Sequence, residues 1–175
     1  MASEVTFYTV GHSNTPADVL LSILSNAGIK TLCDIRRYPA SRRNPHFNAD
    51  RLAGSLADIG IAYEHFEALG GRRVPDEASI NTAIREEQFR GYADYMATSE
   101  WNEALSQVLA LAAEAPTAVI CAESLPFKCH RSLLSDVAVA RGVRVVHLIG
   151  ATQREHALAP HAKVENGIVT YPALL

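Results

Sequence analysis

The feature that most constrains this chain is an alternation of strand-like and helix-like hydrophobic patterns, each unit closed by a glycine. Val5-Thr6-Phe7-Tyr8-Thr9-Val10 is β-branched and aromatic and stops at Gly11, so it reads as a strand running into a tight turn. Thr15-Pro16-Ala17-Asp18 carries the marks of a helix start, with Thr15 as cap and Pro16 in the first helical position. Val19, Leu20, Ile23, Leu24 and Ala27 follow at helical spacing, and Gly28 is placed to end the helix. The cycle then repeats. Residues 31–35 form a short apolar strand, Leu52, Leu56 and Ile59 mark a helix closed by Gly60, and 62–66 reads as a third strand. A helical stretch at 89–96 precedes a longer helix with Trp101, Leu105, Val108, Leu109 and Ala112 on one face. The most continuous strand signal is 117–121. A helix over 132–141, with Leu133, Leu134, Val137 and Ala138 inward, and a strand over 144–149 follow it.

Strands separated by helices pair in parallel and place helices on both faces. The expected fold is therefore α/β, three-layered, with a mainly parallel sheet of Rossmann-like or flavodoxin-like type. Asn166-Gly167, flanked by Lys163-Val164 and Ile168-Val169, predicts a type I′ turn and a small C-terminal hairpin. No repeat or linker-like shift interrupts the pattern, so residues 1–175 are expected to form one domain.

Composition excludes several classes. No apolar run approaches the roughly 18–20 residues of a membrane span, and the N-terminal residues lack a basic stretch followed by an apolar one. Cys33, Cys121 and Cys129 are an odd, sparse set that does not suggest a disulfide framework, which makes a reducing cytoplasmic setting the expectation. A net charge of −3 argues against coating nucleic acid by bulk charge. Yet arginine outnumbers lysine 13 to 3, and seven of the arginines lie between Arg36 and Arg73. The guanidinium fork grips phosphate or carboxylate through two parallel hydrogen bonds, which an ammonium cannot do.

In open α/β sheets ligands bind beyond the carboxyl ends of the strands. The segments after the strands are Gly11-His12-Ser13-Asn14, the loop 36–48, Leu69-Gly70-Gly71-Arg72-Arg73, and Cys121-Ala122-Glu123 leading to Lys128-Cys129-His130-Arg131. Ser13, Arg36, Arg37, Gly70, Gly71, Arg72, His130 and Arg131 are candidate ligand-binding residues. Cys129, Glu123, His12 and Asp34 are candidates for chemistry. Cys129 stands at a helix start among cations, surroundings that lower a thiol pKa and favour anions; otherwise it is a small apolar side chain. Asp34 and Glu123 could divide acid and nucleophile roles as paired carboxylates, or orient the arginines, and the second role is the stronger expectation. The cysteines and histidines lack paired metal-ligand spacing, so neither metal nor cofactor is expected. The loop 36–48 holds four arginines, a histidine and two prolines, and long structureless loops in compact domains tend to be functional. Tyr38 and Phe47 within it could stack on a base.

The motifs TVGHSN at 9–14, DIRRYPASRRNPHFN at 34–48, G-I-x-Y-x-H at 60–65, LGGR at 69–72, FRGYADYM at 89–96, CAE at 121–123 and CHRSLL at 129–134 together resemble the prokaryotic domain of unknown function 488 (DUF488). The resemblance implies that the recurring positions are those the spacing singles out, and it names no reaction. Three functional expectations follow. The first is an enzyme acting on a phosphorylated or nucleotide-like anionic ligand. The second is a nucleic-acid-binding module accessory to repair or modification. The third is a small-ligand sensor without catalysis.

Overall fold

The protein is described by a computed structural model covering residues 4–174. Its elements are β1 (Thr6–Gly11), α1 (Ala17–Asn26), β2 (Thr31–Asp34), α2 (Ala49–Asp58), β3 (Ala62–His65), α3 (Glu87–Tyr95), α4 (Ser99–Glu114), β4 (Thr117–Cys121), α5 (Arg131–Ala140), β5 (Arg144–Ile149), β6 (Thr152–Glu155), β7 (Lys163–Glu165) and β8 (Ile168–Thr170), with short 3-10 turns at Pro45–Phe47, Glu67–Leu69 and Pro126–Lys128. The sheet runs β3-β2-β4-β1-β5-β6. Its first five strands are parallel, and β6 folds back antiparallel on β5. The expected α/β class with a mainly parallel sheet is what the chain adopts.

Because side chains alternate across a strand, β1, β2, β4 and β5 each feed two cores. Val10, Leu32, Ala118, Ile120 and Leu148 face Leu20 and Leu24 of α1 and Leu52 and Leu56 of α2. Phe7, Cys33, Val119, Cys121 and Val145 face Tyr92 of α3, Trp101, Leu105 and Val108 of α4, and Leu134 and Val137 of α5. The strand order resembles the dinucleotide-fold order 3-2-1-4-5-6 with its central pair exchanged, β4 lying between β2 and β1. The neighbours β1 and β4 lead into helices on opposite faces, α1 on one and α5 on the other. Diverging connections leave a crevice at the carboxyl ends of the two strands.

Some local expectations shift. Helix α1 starts one residue late: Pro16, extended at φ −58 and ψ 145, is the cap, and its carbonyl takes the N–H groups of Val19 and Leu20. Ile59 is 42% exposed because it lies past the end of α2 and has turned off the buried face of Leu52 and Leu56. Strand β6 has no apolar alternation to announce it; its four residues are all exposed, and the ladder to β5, an ion pair from Arg144 to Glu155 and the Thr152 hydroxyl on the Ile149 carbonyl hold them. At the C-terminal hairpin Asn166 and Gly167 both have positive φ, 53 and 77, the type I′ signature. No described helix is long and apolar enough to cross a membrane.

A buried polar chain crosses the α5 face. Tyr171 donates to Asp136 Oδ2 at 2.7 Å, and His156 Nε2 lies 2.7 Å from Asp136 Oδ1. His156 Nδ1 is 2.8 Å from His147 Nε2, and His147 Nδ1 is 2.6 Å from the Thr9 hydroxyl. One set of tautomers satisfies every link: with Asp136 ionised, His156 donates to it, His147 donates to His156, and Thr9 donates to His147. Burial, reinforced by His156, holds the His147 pKa down at about 3, so the imidazole stays neutral.

Candidate functional site

The crevice is shaped first by a glycine. A Cβ at Gly11 would sit 1.6 Å from the Glu123 carbonyl oxygen, so only glycine lets the loop after β4 lie this close to the end of β1. The two loops are stitched together, His12 N–H donating to the Cys121 carbonyl at 3.0 Å and Ser13 N–H to that of Ala122 at 2.8 Å. Ser13 is held at φ 44, and Arg72, across the opening, at φ 60. Two side-chain-bearing residues in this costly region at one site mark a constrained loop geometry.

Arg36 is fixed from below by Asp34. Its Nε donates to Oδ1 at 2.9 Å and its Nη2 to Oδ2 at 2.6 Å, a two-pronged pair, while the Tyr63 hydroxyl donates to Oδ2 at 2.6 Å. Burial alone would lower the Arg36 pKa, but the hydrogen bonds and charge of Asp34 outweigh it and the net is upward. Asp34 is fully buried and does not line the opening. Of the two roles open to it, chemistry or the orienting of an arginine, the geometry gives Asp34 the second: it positions Arg36. The remaining nitrogen, Nη1, lies 3.4 Å from His12 Nε2. His12 Nδ1 is 2.7 Å from the Ser13 carbonyl, so that nitrogen carries the proton and Nε2 keeps its lone pair. Burial, with Arg36 adding to it, lowers the His12 pKa.

The cleft has a volume of about 850 Å³. His12, Ser13, Arg36, Arg37, Gly71, Arg72, Glu123, Cys129 and His130 line it, as the sequence anticipated. Arg43, Lys128, Cys121 and Phe89 line it too. Lys128 and Arg43 were legible as charged neighbours of motif residues, whereas the strand-end Cys121 carried only a core signal. Gly70 lies outside the lining: a Cβ there would come 2.6 Å from the Arg37 Cα, so its role is close packing of two loops. A Cβ on Gly71 would come 2.9 Å from His130 Nδ1.

Arg131 departs most from expectation. Instead of reaching for a ligand it is fully buried behind the loop after β4. Its Nη1 donates to the Glu123 carbonyl at 2.6 Å and to Cys121 Sγ at 2.8 Å, and its Nη2 donates to the Ser124 carbonyl at 3.0 Å. Cys129 is 5% exposed, its Sγ 2.7 Å from that of Cys121. Burial, then its hydrogen bond with Cys121 and the charge that Cys121 carries, push the Cys129 thiol up, against the expected activation. For Cys121, burial alone would raise the pKa, but the hydrogen bond from Cys129 and the Arg131 guanidinium bring it down. Burial lowers the neighbouring His130 to about 4, and its Nε2 is buried with no hydrogen-bond partner.

Among the described residues no group of three or more His, Cys, Asp or Glu side chains is arranged to hold a metal ion. The cleft instead pairs fixed cations with two imidazoles, His12 and His130, and a dithiol, a set able to bind an anion and to accept a proton from it. No curated protein and no solved structure matches this chain significantly. One family model does match, over residues 16–138, taking in the Arg36 loop, Gly70 to Arg72 and Cys121 to Arg131 and stopping short of His12 and Ser13. The chain belongs to that family, described as domain of unknown function DUF488.

Proposed function

We propose that the cleft binds a small phosphate-bearing or nucleotide-like anion and acts on it as an enzyme. One observation carries this reading: the lining holds five permanent cations, Arg36, Arg37, Arg43, Arg72 and Lys128, against one carboxylate, Glu123, in a chain whose net charge is −3. Among the described residues Arg37, Arg43, Arg72 and Lys128 have no carboxylate within ion-pair distance. Cations gathered in a concave site without counter-charges focus the field on an incoming anion. Arg36, braced by Asp34, offers a preorganised donor, and Arg43, Arg72 and Lys128 close around the charge from the rim. His12, neutral and with its Nε2 lone pair facing only the long 3.4 Å contact from Arg36 Nη1, is the base best suited to take a proton from a bound hydroxyl or water, and the exposed carboxylate of Glu123 is the second candidate. His130, held neutral, can donate or accept at the orphaned Nε2 once a ligand approaches.

A thermal-shift screen against inorganic phosphate, mononucleotides, nucleosides and short oligonucleotides tests the reading, since saturating ligand stabilises a fold by several kcal/mol at about 100 times its dissociation constant. A shift with phosphate or mononucleotide that Arg43→Ala weakens supports it. The nucleic-acid reading loses Phe47, which is buried in the core, and draws instead on the exposed rings of Tyr38 on the cleft wall and Phe127 beside Lys128, at 59% and 61%. Its signature is affinity for oligonucleotides alone that falls steeply with salt.

A further inference from the structure

We propose that Cys121 and Cys129 form a thiol–disulfide centre at the floor of the cleft, in which Cys121 is the thiolate, Arg131 is its counter-ion and Cys129 is the resolving thiol. The argument begins with charge. Arg131 is fully buried, and among the described residues no carboxylate stands within ion-pair distance of it. A guanidinium does not deprotonate in a protein, and a buried charge without compensation is strongly destabilising. Of its three contacts, two are carbonyl oxygens, which supply dipoles, and the third is Cys121 Sγ at 2.8 Å. That sulfur is the one contact able to carry a full negative charge.

Geometry then selects the partner. The two sulfurs lie 2.7 Å apart, and a disulfide needs about 2.05 Å, so the bond can form with a small side-chain adjustment. Cys129 also takes the Arg131 backbone N–H on its sulfur at 3.5 Å, which fixes it at the start of α5. Both sulfurs border the cleft, giving a small oxidant a route to them. The third cysteine is the internal contrast. Cys33 is equally buried but does not line the cleft, and burial drives its thiol up to about 12. Cysteine reactivity requires thiolate character, so Cys33 stays inert.

With a hydroperoxide as oxidant the step balances. The Cys121 thiolate attacks one peroxide oxygen and the O–O bond breaks; with hydrogen peroxide and one proton from solvent, the products are a Cys121 sulfenic acid and water. Cys129 then attacks the sulfenic sulfur, the S–O bond breaks, and the Cys129 proton leaves with the hydroxide as a second water. Two thiols are oxidised to one disulfide and one peroxide is reduced to two waters. This proposal does not depend on what the cleft binds.

The test starts with wild-type protein, reduced and then exposed to hydrogen peroxide at neutral pH, denatured, alkylated and mapped by mass spectrometry. The expected product is a Cys121–Cys129 disulfide with Cys33 alkylated. In folded Cys129→Ser the oxidation halts at a Cys121 sulfenic acid trapped by dimedone, and in folded Cys121→Ser the ultraviolet thiolate absorbance at neutral pH is lost. Peroxide that leaves all three wild-type thiols alkylatable would overturn the proposal, as would a thiolate absorbance unchanged in Cys121→Ser. Phosphate binding on the same wild-type sample is read separately. Its absence beside an intact disulfide map would defeat the anion reading alone.

Discussion

Two polar regions of this molecule sit on the same sheet and are built on opposite principles. In the chain Thr9–His147–His156–Asp136–Tyr171, each of the four links is a hydrogen bond of 2.6–2.8 Å between side chains. It connects β1, β5, α5 and the segment after β8, and none of these residues lines the cleft. In the cleft, two of the three buried side-chain atoms without partners in the described structure, His130 Nε2 and Arg131 Nε, lie on or just behind the wall. Two of the three side-chain-bearing residues with positive φ line it as well, and its rim cations lack counter-charges. A satisfied network fixes a fold. An unsatisfied one leaves hydrogen-bonding capacity unused, and at His130 Nε2 that capacity is what the proposed ligand would use.

The largest effect separating the two regions is on stability. Asp136 accepts from His156, from Tyr171 and, at 3.2 Å, from the Ala159 backbone N–H. Asp136→Ala is expected to cost about 3–5 kcal/mol, because it strands three donors on two segments, His156 and Ala159 after β6 and Tyr171 after β8. Urea unfolding measures this, and a loss under about 1 kcal/mol would mean that the chain is not structural.

Next in size is the acid response. His147 and His130 titrate at about 3 and about 4 in the folded protein, both lowered by burial, against about 6.5 when unfolded. Below pH 6.5 the unfolded chain therefore binds protons that the folded chain refuses, and stability falls as pH falls, each histidine adding at most about 1.4 kcal/mol per pH unit. The slope fades over about one pH unit above 6.5, where neither state binds the proton. In His147→Gln the slope between about pH 6.5 and 4 should shrink by the share of one histidine; an unchanged slope would assign the acid response elsewhere.

The smallest stability effect belongs to the rim. Arg43→Ala and Lys128→Ala are expected to leave unfolding free energies within about 0.5 kcal/mol of wild type, while each weakens phosphate or mononucleotide binding by about 3–10-fold. Isothermal titration beside urea unfolding separates the two quantities. A rim substitution that destabilises as much as Asp136→Ala would erase the distinction between the regions.

How far the sequence could be read depended on which interactions leave a periodic trace. Strands β1, β2, β4 and β5 and the helices bury one or both faces, and they announce themselves through residues such as Val10 and Val119, Leu20 and Leu24 or Trp101 and Leu105. Strand β6 buries nothing, so only its hydrogen bonds define it. The clustering of His12, Arg36, Arg72 and His130 followed from their positions after strands, since a parallel sheet brings all carboxyl ends to one edge. What could not be read was which of them face the opening. Asp34 and Arg131 carry the same signal of a charge after a strand or at a helix start. The structure turns both inward, one beneath Arg36 and the other against Cys121. The His147–His156–Asp136 chain was equally hidden, its members lying far apart in sequence with no spacing motif to link them.

The central claim is that the cleft is an anion site, and calorimetric titration of wild-type protein with inorganic phosphate and with a mononucleotide at low salt tests it most directly. Saturable binding near one ligand per chain, weakened in Arg43→Ala and Lys128→Ala with their folds intact, is the predicted result. Absence of binding by phosphate, mononucleotide and short oligonucleotide alike would contradict it and would make the arginine-lined cleft a solvated surface.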